Sequence, residues 1–226
     1  MLHRPHWIVP RGRGYRQNTD PWAWGDRMIY CCCKQTIRGG RPTALQRLGR
    51  GSVICFGSTV GHAFCVDTVF VVASAEPWAA GDAADMGLDE AFRVCTADAI
   101  VTWQDLEPGA SGCAPGESVP FTLYRGATVD DPVDGMFSFV PARRADAGPE
   151  AMRFARPAVE LPGLINPASQ QSAWGANRPL PPDRVFDAWE ALAVQVLAAD
   201  LVLATWLQTP PCEATGPVPA IGRTRC

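Results

Sequence analysis

Histidine and lysine are nearly missing from this sequence: three histidines (His3, His6 and His62) and one lysine, Lys34, stand among 226 residues that include nineteen arginines. Two of the histidines lie close to the N-terminus, so a histidine-based catalytic triad would have to use His62. That residue sits in a glycine-flanked turn and reads as a solvent-exposed turn residue. No GxSxG elbow, P-loop, dinucleotide fingerprint, HExxH helix or deaminase signature occurs. No CxxC pair occurs either. The nine cysteines (Cys31, Cys32, Cys33, Cys55, Cys65, Cys95, Cys113, Cys212 and Cys226) are odd in number. In a strand, Cys31 and Cys33 would share one face and Cys32 the other, so a zinc site would need distant ligands. Small buried hydrophobes are the expected role, with no metal and no cofactor. The N-terminal stretch is polar and arginine-rich and lacks the apolar centre of an export signal. Reduced thiols and a cytoplasmic location are the expectation.

The residues that are present form an asymmetric chain. Residues 1–50 carry ten cations and only Asp20 and Asp26 as acids, a local charge of +8, while the whole chain is at −3 and the remainder therefore at −11. Such a segment either meets an anionic partner or packs against the acidic part of its own chain. The arginine bias follows the general richness in alanine and glycine, which makes the retained Lys34 mildly notable. Hydrophobic residues make up 47% of the chain, enough for a real core. Twenty-one glycines and twenty-one prolines predict many loops and short strands.

The pattern predicts one α+β domain over residues 1–208 and a flexible tail over 209–226. Its basic part spans 1–80 and its mixed part 81–182. Short strands are expected at 7–9 and 27–33, followed by a basic connection over 34–50 with a helical turn near Leu45. A strand pair follows, Gly51–Gly57 and Phe64–Val72, rich in β-branched and aromatic residues. A short helix is expected within 82–97, two strands at 120–125 and 135–141 around an Asp-Asp-Pro turn, and an irregular region over 143–182. The last element is a long helix over 183–208, capped by Asp183, with Phe186, Trp189, Leu192, Ala193, Val196 and Leu197 at helical spacing. Asp187, Glu190, Gln195 and Asp200 interrupt it, so a packed helix is expected rather than a membrane span.

Three runs carry the functional signal: Asp20-Pro21-Trp22-Ala23-Trp24-Gly25-Asp26, then Cys32-Cys33-Lys34-Gln35-Thr36-Ile37-Arg38, then Gly51-Ser52-Val53-Ile54-Cys55-Phe56-Gly57-Ser58. Here the chain resembles the nucleotide-modification-associated domain families, small phage and bacterial proteins linked to hypermodified DNA bases. The match spans Asp20 to about Trp78. Gln35 stands where those families commonly have proline, and Ser52 where they have aspartate. The glycine-led strand pair is also similar to PUA-like β-barrels of the ASCH and EVE groups. The resemblance implies a small PUA-like barrel or strongly curved mixed sheet, to which the expected fold adds flanking helices and the long C-terminal helix. It also implies a cleft that binds nucleic acid or a modified base.

Aromatic rings can stack on an unpaired base for about 1–3 kcal/mol each. Trp22, Trp24 and Tyr30 are the candidates, with Trp78 beside them. Lys34 and Arg38, four apart, would share a face of a helical turn. Asp20 or Asp26 could accept bonds from a base edge, and Ser58 closes the list of base contacts. Arg11, Arg13, Arg16 and Arg41 are the candidate phosphate contacts. Each has a plainer reading, in which the tryptophans plug a barrel mouth, Lys34 and Arg38 pair with the acidic remainder, Asp20 only starts a turn, and Asp67 makes a structural hydrogen bond. Arg125, Arg143, Arg144, Ser138, Asn166, Gln170 and Gln171 are weaker candidates. The expected function is a nucleotide- or modified-base-binding protein of a nucleic-acid modification system. The alternatives are an enzyme of that system or a structural, phage-accessory protein.

Overall fold

A computed structural model of the chain describes residues 21–36, 41–79, 86–93, 96, 121–144, 152–165 and 179–207. The strands expected at 7–9, the tail and the amides Asn166, Gln170 and Gln171 lie outside them. The described part is α+β. Its strands are β1 (Ile29–Tyr30), β2 (Val53–Val60), β3 (Ala63–Trp78), β4 (Phe121–Gly126), β5 (Val140–Arg144), β6 (Met152–Phe154), β7 (Ala158–Val159) and β8 (Val202–Ala204). Its helices are the short α1 (Glu90–Phe92) and the long α2 (Pro182–Ala198). Among the described residues no helix is long and apolar enough to cross a membrane.

The predicted strand pair is the hairpin β2–β3: β2 starts two residues later than expected and runs three further, and β3 is longer than expected at both ends. Its two-residue loop places Gly61 at φ +63°, a conformation open to glycine and suited to the twist of a tight hairpin. The register shifts between Phe56 and Gly57 and again between Val72 and Ser74. At the first shift the chains run so close that a Cβ on Gly57 would lie 2.2 Å from the Cys65 carbonyl oxygen. These irregularities let β3 serve successive partners: β2 and β7 along its first half, β4 along its second. The large sheet runs β1-β4-β3-β2, and a small sheet runs β6-β5-β8. Two isolated bridges link them, Val69 with Phe139 and Gly25 with Leu207. Among the described residues the strands do not close into a continuous barrel.

The period-two alternation along β3 separates two cores. Phe70 and Val72 face an aromatic core with Trp22, Tyr30, Tyr124, Trp78 and Phe92. Val69 and Val71 face the other way, onto Phe139 and the α2 residues Trp189, Leu192, Ala193 and Val196. Trp189 meets Phe137 edge-on at 5.1 Å and donates its indole N–H to the Phe137 carbonyl at 3.0 Å. Each such buried large side chain contributes about 1.5–3 kcal/mol of transfer free energy.

Several expectations shift. The helix expected to reach Gln208 ends at Ala198. Asp200 then takes φ +57°, a left-handed conformation that aspartate tolerates, and Val202–Ala204 pair with β5. Pro181 holds the cap position, and Asp183 sits in the first turn, where its charge favours the helix dipole. Leu197, expected inside, is 53% exposed. The strand expected at 27–33 shortens to Ile29–Tyr30 because Cys32 to Gln35 form a turn, closed by the Gln35 N–H bonding the Cys32 carbonyl at 3.0 Å. The strand expected from 135 starts at Val140, because Val133 and Met136 pair across a tight turn through Asp134 and Gly135, both at positive φ. Within the expected helix at 82–97, α1 is capped by Asp89, whose carboxylate accepts the Ala91 amide at 2.8 Å.

Candidate nucleic-acid interface

β1 leaves the edge of β4 after Tyr30, and the described parts of the connector, 31–36 and 41–50, fold back over the place it vacates. Gln35 fills the missing strand position with its side chain. Fully buried, it donates Nε2–H to the Thr122 carbonyl at 2.7 Å and accepts the Thr122 N–H on Oε1 at 2.8 Å. A side-chain amide thus imitates a residue of a neighbouring strand. The Gln35 carbonyl accepts the Thr43 N–H at 2.8 Å, and the Thr43 hydroxyl donates to the Lys34 carbonyl at 2.8 Å. With the Thr36–Pro42 bridge, these bonds bring the chain at Lys34 alongside the chain at Arg41. Thr43 also caps the predicted turn near Leu45, a 3-10 turn over Ala44–Gln46.

β4 holds the far arm of the connector as well. The Tyr124 hydroxyl donates to the Leu45 carbonyl at 2.8 Å and accepts the Leu48 N–H at 3.1 Å, while the Thr122 hydroxyl donates to the Gln46 carbonyl at 3.0 Å. The Tyr124 ring stacks on Tyr30 at 5.6 Å and 11°, and the Tyr30 hydroxyl donates to the Cys33 carbonyl at 2.7 Å. Burial pushes the Tyr124 hydroxyl above its usual range, although its bonds with Leu48 and Thr122 pull it down.

From this framework Lys34, Arg41, Arg47 and Arg50 reach the surface. No acid occurs from residue 27 to residue 66. Among the described residues Arg41, Arg47 and Arg50 enter no ion pair, whereas Arg27, Arg93, Arg125 and Arg156 pair with Asp131, Glu90, Glu76 and Asp67. The plainer reading of the basic segment therefore holds for Arg27, while these three have no acidic partner among the described residues. Lys34 has φ +62°, so the right-handed helical turn expected to align it with Arg38 does not begin there. Arg38 itself, with Asp20, Arg11, Arg13 and Arg16, lies outside the described residues.

The three aromatic candidates are core residues. Trp22 is 2% exposed and Tyr30 0%. Trp22 packs on Trp24 at 4.7 Å and on Phe92 at 5.9 Å, and Tyr30 meets Phe56 at 5.2 Å besides stacking on Tyr124. Their faces are taken by other rings, so a base finds no platform on them. The buried indole N–H of Trp24 has no hydrogen-bond partner among the described residues. Trp78 is also buried and donates to the Cys31 carbonyl at 2.9 Å. Asp26 accepts the Trp206 indole N–H at 2.9 Å.

Ser58 is exposed on the hairpin and belongs to a separate cluster. Arg156 donates to the Ser58 hydroxyl at 2.6 Å and pairs with Asp67, the structural bond expected for that aspartate. Burial raises Asp67 above the usual carboxylate range despite the opposing charge of Arg156. Both partners are substantially exposed, so the pair is worth at most about 1 kcal/mol. Of the weaker candidates, Ser138 accepts the Val71 N–H at 2.9 Å inside the sheet, Arg125 is bound to Glu76, and Arg143 is exposed. His62 lies exposed in the hairpin turn. Among the described residues no group of three His, Cys, Asp or Glu side chains is placed to hold a metal ion.

Sequence reasoning passed over Arg47, Arg50, Tyr124 and the structural role of Gln35. The arginines carried a signal in the acid-free run; Tyr124 and Gln35 carried none. Compared with known proteins, the chain matches no family model, no curated protein and no solved structure.

Proposed function

We propose that this protein binds a nucleotide or single-stranded nucleic acid through the connector 34–50, as a recognition component of a nucleic-acid modification system. The observation that carries this reading is the set Arg41, Arg47 and Arg50: exposed and without an ion pair among the described residues, on a backbone tied down by β4. Exposed cations without internal partners are the groups that release counterions from a phosphate chain. Phosphate contacts bear the weight, and stacking on Trp22, Trp24 or Tyr30 does not. The modified-base part of the reading rests on the resemblance around Cys32–Arg38. The same reading takes the two bridged sheets as an open relative of a PUA-like barrel.

The test is fluorescence anisotropy of labelled single strands, modified and unmodified, between about 50 and 200 mM salt. Binding should weaken steeply with salt. The triple variant Arg41→Ala, Arg47→Ala, Arg50→Ala should flatten the log–log slope by about 2, at roughly 0.7 per phosphate contact. Absence of binding at the lower salt, or a triple variant with the wild-type slope, overturns the reading.

A further inference from the structure

The connector is tied down more heavily than a link between two strands requires. Six side-chain bonds join it to β4 or to the tyrosine beside it. Gln35 makes two with Thr122, the Thr122 hydroxyl one with Gln46, Tyr124 one each with Leu45 and Leu48, and Tyr30 one with Cys33. Tyr124 is distinctive among these. Its single oxygen closes the 44–48 turn on itself, donating to Leu45 and accepting from Leu48. Arg47 lies between those two contacts and Arg50 two residues beyond them. The ring is locked by its stack on Tyr30, whose own hydroxyl holds the other arm at Cys33, next to Lys34. One stacked pair therefore sets the backbone on both arms that present the cations.

We infer that Tyr124 is a positioning residue for anion binding: its hydroxyl keeps the connector in the one conformation that presents Arg47 and Arg50 together. This rests on the reading of the connector as the anion-binding surface. A loop populated in its competent form only part of the time binds more weakly by that fraction, with no change in the number of charges engaged. The hydroxyl of Tyr124 thus controls affinity, and the arginines control the salt slope.

The experiment compares the wild-type full chain, Tyr124→Phe and the triple arginine variant, using a labelled single-stranded deoxythymidine oligonucleotide as probe. Tyr124→Phe keeps the ring and its stack. Its dissociation constant should rise by up to about fivefold, the ceiling that one lost hydrogen-bonding group sets through the loop equilibrium, with the salt slope unchanged. The Leu48 amide should exchange faster with solvent. A merely structural tyrosine would lower the denaturation midpoint and leave the dissociation constant of the folded protein at the wild-type value; that result overturns the inference while the anion-binding reading stands. A wild-type protein that fails to bind overturns both. If Tyr124→Phe does not fold, Thr122→Val, which removes the hydroxyl bond to Gln46, is held to the same test: weaker binding at constant slope supports the inference, and unchanged binding rejects it.

Discussion

Replacing Gln35 by alanine tests whether a side chain serves as a strand in this fold. The Gln35 amide satisfies both the N–H and the C=O of Thr122 on the edge of β4 that β1 leaves open. In Gln35→Ala both bonds vanish and two backbone groups beneath the connector lose their partners. A net loss of about 1 kcal/mol per bond, plus the cost of the groups left unmet, gives about 2–4 kcal/mol. Against a total stability of roughly 5–15 kcal/mol that is a large fraction. For a chain of this size it corresponds to a melting midpoint lower by about 5–15 °C. Gln35→Glu sharpens the test. It keeps the acceptor for the Thr122 N–H and sets a second oxygen against the Thr122 carbonyl. Buried beside that carbonyl, the introduced carboxyl would hold its proton in the folded state at a pH where the unfolded chain releases it. Its penalty is therefore full at neutral pH and shrinks as pH falls through the raised value, where the protonated group can donate as the amide did. Urea denaturation followed by tryptophan fluorescence, at neutral pH and near pH 5, reads both effects. Gln35→Ala within about 0.5 kcal/mol of wild type, or a Gln35→Glu deficit that does not shrink in acid, would refute the idea.

Two further predictions concern the hairpin. Gly57→Ala should cost about 2–3 kcal/mol, because its Cβ meets the Cys65 carbonyl oxygen at 2.2 Å and the Phe64 ring at 2.7 Å; Gly61→Ala, which strains a positive φ in open space, should cost about 1 kcal/mol. Equal losses in urea titrations of the two variants would contradict the close approach. Cys55 is only half-buried as a residue, yet burial pushes its thiol from 9.0 up to about 12. It should resist iodoacetamide in the native protein at about pH 8, since thiolate is the reactive form. The folded state keeps this proton while the unfolded chain loses it, so stability should fall as pH rises from about 9 towards 12, by at most about 1.4 kcal/mol per unit. Peptide mapping of alkylated cysteines checks the first effect. Pairing Cys55→Ala with wild type in alkaline denaturation checks the second.

The hairpin and the turn near Leu45 were legible because their signals are local: β-branched runs and glycines at the bends. The cation surplus of the connector was legible from charge alone. The aromatic candidates were not, since a tryptophan that stacks on a base and one that fills a core look alike in sequence; neighbours such as Phe92 and Tyr124 decide. The end of α2 was misplaced because apolar spacing continues past Asp200, and only pairing with β5 turns Val202–Ala204 into a strand. Gln35 and Tyr124 were invisible as supports because their partners lie 87 and 76–79 residues away. Long-range hydrogen bonds of this kind leave no periodic trace in one sequence.

β3 belongs to both cores through alternate residues, Phe70 and Val72 on one side and Val69 and Val71 on the other. Neither core can melt while the other keeps this strand in place, because lifting it strips the inner wall from both. The chain should accordingly lose its aromatic and helix-side packing in one cooperative transition, with the amides of Val69 to Val72 among the last to exchange, opening only with the whole molecule.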